Sequence, residues 1–216
     1  MSIASADIAR LRAQTGAGMM DCKNALEEAG GDNAKAIDLL RQRGIAKAAK
    51  RADKVAAEGL VASYIHGAGK IGVLVEVNCE TDFVAKTEGF RAFVYDIALH
   101  VAAMKPLYVS RADVLDEVLR AEKAIYRGQL ELEGKPEAML DRIVEGKLEK
   151  FYTDTCLLDQ PFIKDEDKTI AQLLTQKTVE IGEKISVRRF ARFELGEGME
   201  KVKTDFVAEV EAQLQK

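Results

Sequence analysis

The sequence is poor in the side chains that carry redox or metal chemistry. Its 216 residues include three cysteines, Cys22, Cys79 and Cys156, and two histidines, His66 and His100. Three cysteines this far apart cannot build a disulfide scaffold, and their odd number is typical of free thiols in a reducing compartment. The histidines and cysteines share no metal-ligand spacing. We therefore expect no metal site and no cofactor.

Catalytic motifs are missing as well. No HExxH, GxSxG or paired CxxC motif occurs in the sequence. One catalytic alternative stays open, a nucleophile built from Cys79 and one of the two histidines. The favoured interpretation is a buried thiol and an imidazole on a helix surface, because a free cysteine usually packs as a small hydrophobic side chain. We expect no catalytic residues.

Long apolar runs and a strong charge bias are also absent. No stretch approaches eighteen consecutive apolar residues, and the first residues, MSIASADIAR, contain no basic segment leading into an apolar run. These features predict a cytosolic protein with no membrane segment. The formal net charge of −4 argues against bulk electrostatic binding to nucleic acid. With 47 % hydrophobic and 31 % charged residues, the chain is expected to be globular, with at most two folding units.

Apolar residues recur at helical spacing in the first fifty residues. Helices are predicted over residues 2–14 and about 19–29, and a pair of glycines ends the second. Asp32 is the predicted N-cap of a third helix. The following segment, residues 44–58, loses this periodicity and carries four basic residues, so a solvated linker is predicted. Contact of these charges with RNA is the weaker alternative, since no aromatic side chains lie between them.

After this linker the apolar period changes to two, as in β-strands. Strands are predicted over 60–66, 71–77 and 185–194, with the third returning to the first two. Helices are predicted over 81–104, 111–132 with Ser110 as N-cap, 136–152 and 168–182. A last amphipathic helix contains Val202, Phe206, Val210 and Leu214. The predicted fold class is α+β, with a helix-rich core around a small antiparallel three-stranded sheet.

The glycine-rich segment between the first two strands matches a nucleotide-binding spacing. Residues 67–72 read GAGKIG, which fits G-x-G-x-x-G. A dinucleotide-binding loop leads into a helix that faces the pyrophosphate, whereas this loop leads into the strand residues VLVEV. A Walker loop is excluded, because Tyr64 and Ile71 stand where Gly and Ser or Thr are required. We predict a hairpin turn.

The segment NCETDFV, residues 78–84, joins the second strand to the helix that follows. In one interpretation Thr81 or Asp82 caps this helix, and Phe83 and Val84 supply its first core turn. In the other, the segment is an exposed tip on which an aromatic ring beside a carboxylate inserts into a partner's cleft. The sequence leaves both interpretations open.

Five longer segments are distinctive. They are RAQTGAGMMDCKNALEEAGGD at 12–32, VNCETDFVAK at 77–86, HVAAMKP at 100–106, DQPFIKDEDKTI at 159–170 and FELGEGMEKVKTDF at 193–206. Together, and in this order, they resemble signatures of the elongation factor Ts family. Five ordered matches over almost the whole chain are more specific than any one short motif.

The resemblance implies a domain organisation and a function. It implies a three-helix domain similar to ubiquitin-associated (UBA) domains plus the basic linker in 1–54, an α+β core and dimerisation domain in 55–195, and a C-terminal helical module in 196–216. It further implies a guanine nucleotide exchange factor without bond-making chemistry. Such a factor binds the GTPase elongation factor Tu, GDP-bound or nucleotide-free, dislodges Mg²⁺ and promotes exchange of GDP for GTP.

The resemblance also implies roles for two sets of residues. The element that dislodges Mg²⁺ from Tu corresponds to Thr81, Asp82, Phe83 and Val84. Contacts with Tu are implied for Arg12, Gly18, Met19, Met20, Lys23 and His100. A place in the helical core is the alternative for the two methionines, and an ordinary solvated position is the alternative for Lys23.

The sequence differs from longer family members, which carry two related core halves and a coiled-coil insertion. Here there is one hairpin and one Thr-Asp-Phe-Val copy. Three strands leave an exposed sheet edge, so we expect a homodimer in which two chains complete the core. The competing functions are a helical-module adaptor for another protein and a ribosome- or RNA-binding factor. We expect neither a membrane nor direct nucleic-acid contact.

Overall fold

The first three helices form a small module with its own hydrophobic core. The structure, a computed structural model, describes residues 3–199. The three helices are α1 (Ser5–Thr15), α2 (Met19–Glu28) and α3 (Asn33–Ala49). Their shared buried side chains are Leu11, Ala17, Cys22, Ala25, Leu26, Ala36 and Leu40. As predicted, Asp32 caps α3, where its side chain accepts a hydrogen bond from the Lys35 backbone N–H at 3.1 Å.

A β-hairpin follows the module. Strand β1 (Glu58–His66) and strand β2 (Ile71–Cys79) pair antiparallel over their full length. The connecting turn has left-handed backbone at Gly67, Ala68 and Gly69, a conformation that glycine adopts without strain. The turn leads directly into β2, so the prediction of a hairpin turn is confirmed.

Two helices follow β2 where the sequence predicted one. Helix α4 is a single turn, Asp82–Ala85, and helix α5 spans Glu88–Met104. They are separate because the Thr87 side chain accepts a hydrogen bond from the Phe90 backbone N–H at 3.3 Å and starts α5 as a new helix. Helix α5 packs on one face of the sheet. Its buried apolar residues are Phe90, Phe93, Val94, Ile97, Ala98, Val101 and Ala102.

Helices α6 (Asp116–Leu132) and α7 (Glu137–Thr155) form an antiparallel pair. They share a small core made of Leu130, Leu140, Val144 and Leu148. Ser110 does not cap α6 but begins a separate 3-10 turn, Arg111–Asp113. The sequence predicted both helices but not their pairing, and a coiled-coil element was expected only in longer family members.

A short second sheet was not predicted. Strands β3 (Pro161–Phe162) and β4 (Asp165–Thr169) pair antiparallel, and helix α8 (Ile170–Ile181) follows. Strand β3 has two residues and β4 has the polar sequence DEDKT, so neither shows the apolar alternation of a half-buried strand. Helix α8 begins with a capping box in which Thr169 and Gln172 accept each other's backbone N–H.

Strand β5 (Ser186–Glu194) completes the three-stranded sheet. It pairs antiparallel with β2, so the strand order is β1-β2-β5. The buried side chains on the face toward α5 are Val73, Val75, Val77 and Val187. The opposite face, which we call the outer face, carries the exposed side chains of Val61, Ile65, Leu74 and Phe193. The predicted α+β fold with a small antiparallel sheet is confirmed.

Helix α3 is longer than predicted, because part of the expected linker is helical. It continues past Gly44 to Ala49. Gly44 is buried against α8, and a Cβ atom there would lie 3.3 Å from Val179 Cγ2. Gly44 lets α3 and α8 approach closely. Because glycine has no apolar side chain, this contact adds nothing to the helical period of apolar residues from which a helix is predicted. Lys47, assigned to the linker, pairs within the module with Asp21 at 2.9 Å.

Part of the predicted organisation lies outside residues 3–199. The last amphipathic helix, with Val202, Phe206, Val210 and Leu214, falls there, together with most of the C-terminal module assigned to 196–216. Within the described part of the chain, no helix combines the length and the apolar character needed to cross a membrane.

Gly59 marks a close approach between β1 and β2. Its φ is +144°, and a Cβ atom there would lie 2.2 Å from the Val77 carbonyl oxygen. We expect Gly59→Ala to lower the free energy of unfolding by about 1–3 kcal/mol, measured by urea denaturation. The matched control is Gly89→Ala in the first turn of α5, where a Cβ atom meets nothing within 4 Å. Equal losses of stability in the two variants would contradict the interpretation that the close approach to β2 requires glycine at position 59.

Candidate functional site

The segment between β2 and α5 presents an aromatic ring at the surface. We call its residues Thr81–Val84 the tip. The Phe83 side chain is 77 % exposed, although the fully buried Cys79 lies only four residues earlier. Asp82 accepts a hydrogen bond from Lys86 Nζ at 2.5 Å, which holds the pKa of the Asp82 carboxyl below its usual range. The tip therefore places an exposed ring beside an ionised carboxylate.

Local hydrogen bonds shape the backbone of the tip. The Thr81 hydroxyl oxygen accepts the Val84 backbone N–H at 3.5 Å and caps α4. Cys79 Sγ donates to the Thr81 carbonyl oxygen at 3.1 Å. Val84 packs against the main core, whereas Phe83 does not. Each interpretation of this segment is thus right in part. Thr81 caps α4 and Val84 packs against the core, whereas the Phe83 side chain faces solvent.

Two glutamates hold the tip from the strand side. Glu183, in the turn between α8 and β5, accepts the backbone N–H groups of Glu80 at 3.1 Å and Thr81 at 3.0 Å on Oε2, and the Thr81 hydroxyl at 2.7 Å on Oε1. Glu80 Oε1 accepts the Lys184 backbone N–H at 2.6 Å and Arg51 Nη1 at 2.8 Å. These bonds, the one to Lys184 first, hold the pKa of Glu80 below its usual range.

This pair of carboxylates was not predicted from the sequence. The contacts join residues 102 to 104 positions apart. The turn at 182–185 shows only a helix-ending glycine followed by a Glu-Lys pair, a combination that occurs at many helix ends. No local signal could have identified Glu183.

The N-terminal candidate residues lie on the surface of the helical module. Gly18 is the N-cap of α2, and Met19 and Met20 follow it with 46 % and 64 % of their surface exposed. Their exposure excludes the core alternative for the two methionines. Lys23 lies one turn further on, 3.7 Å from Glu27, and Arg12 is exposed on α1. This group and the tip are separate surfaces, one on the module and one at the end of the sheet.

His100 is not on a helix surface as expected. Its side chain is fully buried on α5. Its Nδ1 accepts the Ile163 backbone N–H at 3.3 Å, so Nε2 carries the proton and donates it to Gln160 Oε1 at 3.0 Å. Burial lowers the pKa of the imidazole and keeps it neutral. The buried ring has no exposed surface with which to touch a partner directly.

The alternative of a Cys79 nucleophile is wrong. The thiol is fully buried, and burial together with the nearby Glu183 carboxylate raises its pKa. His66 Nδ1 is hydrogen-bonded to the Tyr64 hydroxyl at 3.0 Å, and His100 is engaged as described above. Neither imidazole is placed to accept the thiol proton. Among residues 3–199, no group of three or more His, Cys, Asp or Glu side chains could hold a metal ion.

These features describe a class of protein. A large ring that is exposed and held on an ordered junction is typical of anchors in protein recognition. The carboxylates around it are engaged in hydrogen bonds that fix the backbone. The fold and the tip therefore define an α+β protein whose site is suited to binding another macromolecule.

Comparisons with known proteins identify the family. The family described as Elongation factor TS matches residues 44–197. The chain is 58 % identical to the elongation factor Ts of Geotalea uraniireducens (strain Rf4) over 212 residues, 98 % of each chain. It is 59 % identical to that of Carboxydothermus hydrogenoformans over 210 residues, 97 % of each. The chain belongs to the elongation factor Ts family, whose members are factors of translation elongation, and the predicted resemblance is confirmed.

The buried neutral His100 makes stability depend on pH. Its pKa in the folded protein lies below the ordinary value of 6.5, so the unfolded chain binds a proton that the native state excludes. The resulting stability is complete above about pH 6.5 and is lost as the pH falls below it. We expect the free energy of unfolding to fall by about 1 kcal/mol between pH 7 and pH 5.5, measured by urea denaturation at each pH.

Two variants isolate this contribution. His100→Gln should remove it from the pH dependence, whereas the matched variant His66→Gln, at an exposed position, should retain it. A wild-type protein whose stability does not change over this pH range would contradict the assignment.

Proposed function

We propose that this chain is the guanine nucleotide exchange factor of elongation factor Tu and acts in the cytoplasm, where translation takes place. It binds Tu·GDP, displaces the Mg²⁺ ion, promotes GDP release and stays bound to nucleotide-free Tu until GTP enters. The observation that carries the proposal is the exposed Phe83 beside an ionised Asp82 in a chain of the elongation factor Ts family.

The mechanism starts from the ion that helps a GTPase to hold GDP. Mg²⁺ bridges phosphate and protein oxygens and demands near-octahedral geometry with short metal–oxygen distances. A small displacement of its protein ligands therefore weakens its binding. Without the ion, the phosphates lose a strong electrostatic partner and GDP leaves faster. A protein that moves these ligands accelerates exchange without making or breaking a covalent bond.

The tip is the part of the chain proposed to move them. Phe83 acts as a wedge, because inserting its exposed ring into an apolar cleft of Tu removes that ring from water. Asp82 brings a carboxylate that competes for hydrogen bonds near the ion. Since Asp82 is paired with Lys86 in the free chain, binding must open this pair or carry it along. Thr81 and Val84 fix the two ends of the tip.

The surface of the helical module is proposed as a second contact with Tu. Exposed methionines adapt their shape to a partner surface, and Met19 and Met20 stand at the start of α2. Arg12, Gly18 and Lys23 are proposed to complete this contact. For His100 the proposal is narrower: its buried imidazole holds the segment of Gln160 and Ile163 against α5, so it influences binding only through the position of that segment.

Linkage explains how nucleotide helps to release the factor from Tu. If binding of this chain lowers the affinity of Tu for nucleotide by some factor, then nucleotide lowers the affinity of Tu for this chain by the same factor. GTP entry therefore helps to release the factor.

The alternative of an RNA- or ribosome-binding factor has less support. Of the basic residues between 47 and 54, Lys47 pairs with Asp21 and Arg51 pairs with Glu80. Both cations are therefore partly neutralised by contacts that the fold itself uses.

The exchange activity is tested by release of a fluorescent GDP analogue from Tu after addition of excess unlabelled nucleotide. We expect the wild type to accelerate release, and the double variant Asp82→Ala/Phe83→Ala to lose at least about tenfold of this acceleration, as for a central anchor. Leu132→Ala is the matched control, because Leu132 is also a highly exposed apolar residue but is the last residue of α6 and not part of the tip. No acceleration by the wild type with a cognate Tu would overturn the proposed function.

The outer face supports the proposal of a homodimer. Its side chains Val61, Ile65, Leu74 and Phe193 are each more than half exposed. A second copy placed on this face by a twofold axis would bury the same patch on both chains and convert the single sheet into a two-layer sandwich. The proposed contact uses this face, whereas the dimer predicted from the sequence was based on an exposed sheet edge.

The dimer is tested by light scattering at micromolar concentration. We expect twice the mass of one chain for the wild type and a single-chain mass for Phe193→Glu, which places a charge in the buried patch. Leu132→Glu, at an exposed apolar position away from the sheet, should remain dimeric. A strictly monomeric wild type would remove the proposal.

A further inference from the structure

The junction at the start of the tip contains a reciprocal exchange of carboxylates between two turns. Glu183 receives two backbone N–H groups and one hydroxyl from Glu80 and Thr81. Glu80 receives the backbone N–H of Lys184, the residue next to Glu183. Each turn thus supplies a carboxylate to the backbone of the other. Hydrogen bonds to an ionised carboxylate are among the stronger ones in proteins, so this junction resists opening.

The tip cannot hold its own orientation. Helix α4 has four residues, and a single helical turn is not stable without tertiary contacts. Phe83 is exposed and makes no core contact. Its direction is set by the backbone on either side: Val84 packs against the core after it, and before it Glu183 binds consecutive N–H groups at 3.1 Å and 3.0 Å.

The same junction reaches the linker of the helical module. Arg51 Nη1 donates to Glu80 Oε1 at 2.8 Å. The Lys184 ammonium donates to the carbonyl oxygens of Ala52 at 2.6 Å and Lys54 at 2.9 Å. The tip, the turn before β5 and the linker are therefore joined in one polar cluster.

We propose that Glu183 is a positioning residue for nucleotide exchange, which sets the direction of Phe83 before a partner is bound. This inference rests on the proposed function and adds to it a residue 100 positions away from Phe83 in the sequence. Glu183 touches neither nucleotide nor ion; it acts through the Glu80 and Thr81 backbone. Ordering of the tip then costs little free energy when Tu binds.

The first test separates rate from affinity in the exchange reaction. GDP release from Tu is measured as a function of the concentration of the factor, for the wild type, Glu183→Gln and Glu183→Ala. We expect the maximal release rate to fall by about 10- to 100-fold for Glu183→Ala, because a misdirected group loses its effect within about 1 Å. The concentration at half-maximal rate should change by less than about threefold, because the surface of the helical module is intact.

The relative maximal release rates of Glu183→Gln and Glu183→Ala test the same inference. Glutamine keeps the shape and one side-chain oxygen that can accept an N–H, but not the negative charge. We therefore expect Glu183→Gln to lie between the wild type and Glu183→Ala. Glu166→Gln is the matched control, since Glu166 is an exposed carboxylate on β4, and it should behave as the wild type.

The second test measures the tip itself. The sequence contains no tryptophan, so Phe83→Trp introduces a single reporter at the tip. We expect its fluorescence anisotropy in the free protein to drop when Glu183→Gln is added and to stay unchanged when Glu166→Gln is added. This readout needs no partner and does not depend on exchange activity.

The outcomes distinguish the inference from the proposed function. If the wild type fails to accelerate release, the function fails, and the anisotropy alone then decides whether Glu183 orders the tip. If the wild type is active and the Glu183 variants match it in maximal rate, the inference is wrong and the function stands. Loss of the far-ultraviolet circular dichroism of the fold in Glu183→Gln would make Glu183 a general stability residue and also overturn the inference.

Discussion

The burial of β2 is the constraint on which the other features depend. Strand β2 is hydrogen-bonded to β1 on one side and β5 on the other, and its residues Val73, Val75 and Val77 pack against α5. With both edges and one face occupied, the end of β2 at the fully buried Cys79 is fixed. The tip begins two residues later. The three-stranded sheet described here thereby presents Phe83 at the surface without the freedom of a long loop.

Polar contacts between distant segments complete this framework where apolar packing ends. The neutral His100 joins α5 to Gln160 and Ile163, and the Gln160 amide donates in turn to the carbonyl oxygens of Met104 and Asp154. Every one of these buried polar groups has a partner, and such a network specifies one arrangement of the segments it joins. Glu183 does the same for the tip, at a partly exposed position where the core no longer constrains the chain.

The sequence revealed those elements whose apolar period is carried by large side chains. Strand β2 and helix α5 were predicted because valines and phenylalanines mark their buried faces, and β1 and β5 because their residues alternate between the two faces of the sheet. The extension of α3 was missed because its contact with α8 uses Gly44, and β4 was missed because its residues are polar. The exposure of Phe83 and the burial of His100 depend on which neighbours fold over them, which periodicity does not encode. The role of Glu183 could not be predicted because its hydrogen-bond partners lie about a hundred residues away in the sequence.

An anchor that must be both exposed and well directed meets two opposing demands. Exposure keeps Phe83 available, but an exposed side chain on a four-residue helix would ordinarily sample many directions. The polar cluster around Glu80 and Glu183 reconciles them, because it constrains the backbone and leaves the ring uncovered. Since Arg51 and Lys184 tie the linker into the same cluster, the tip and the helical module have a defined spacing before any partner binds. In the proposed function, the surface of the helical module binds Tu while the tip, at a fixed spacing from it, acts near the ion, so the binding free energy goes into displacing Mg²⁺ ligands instead of ordering the factor.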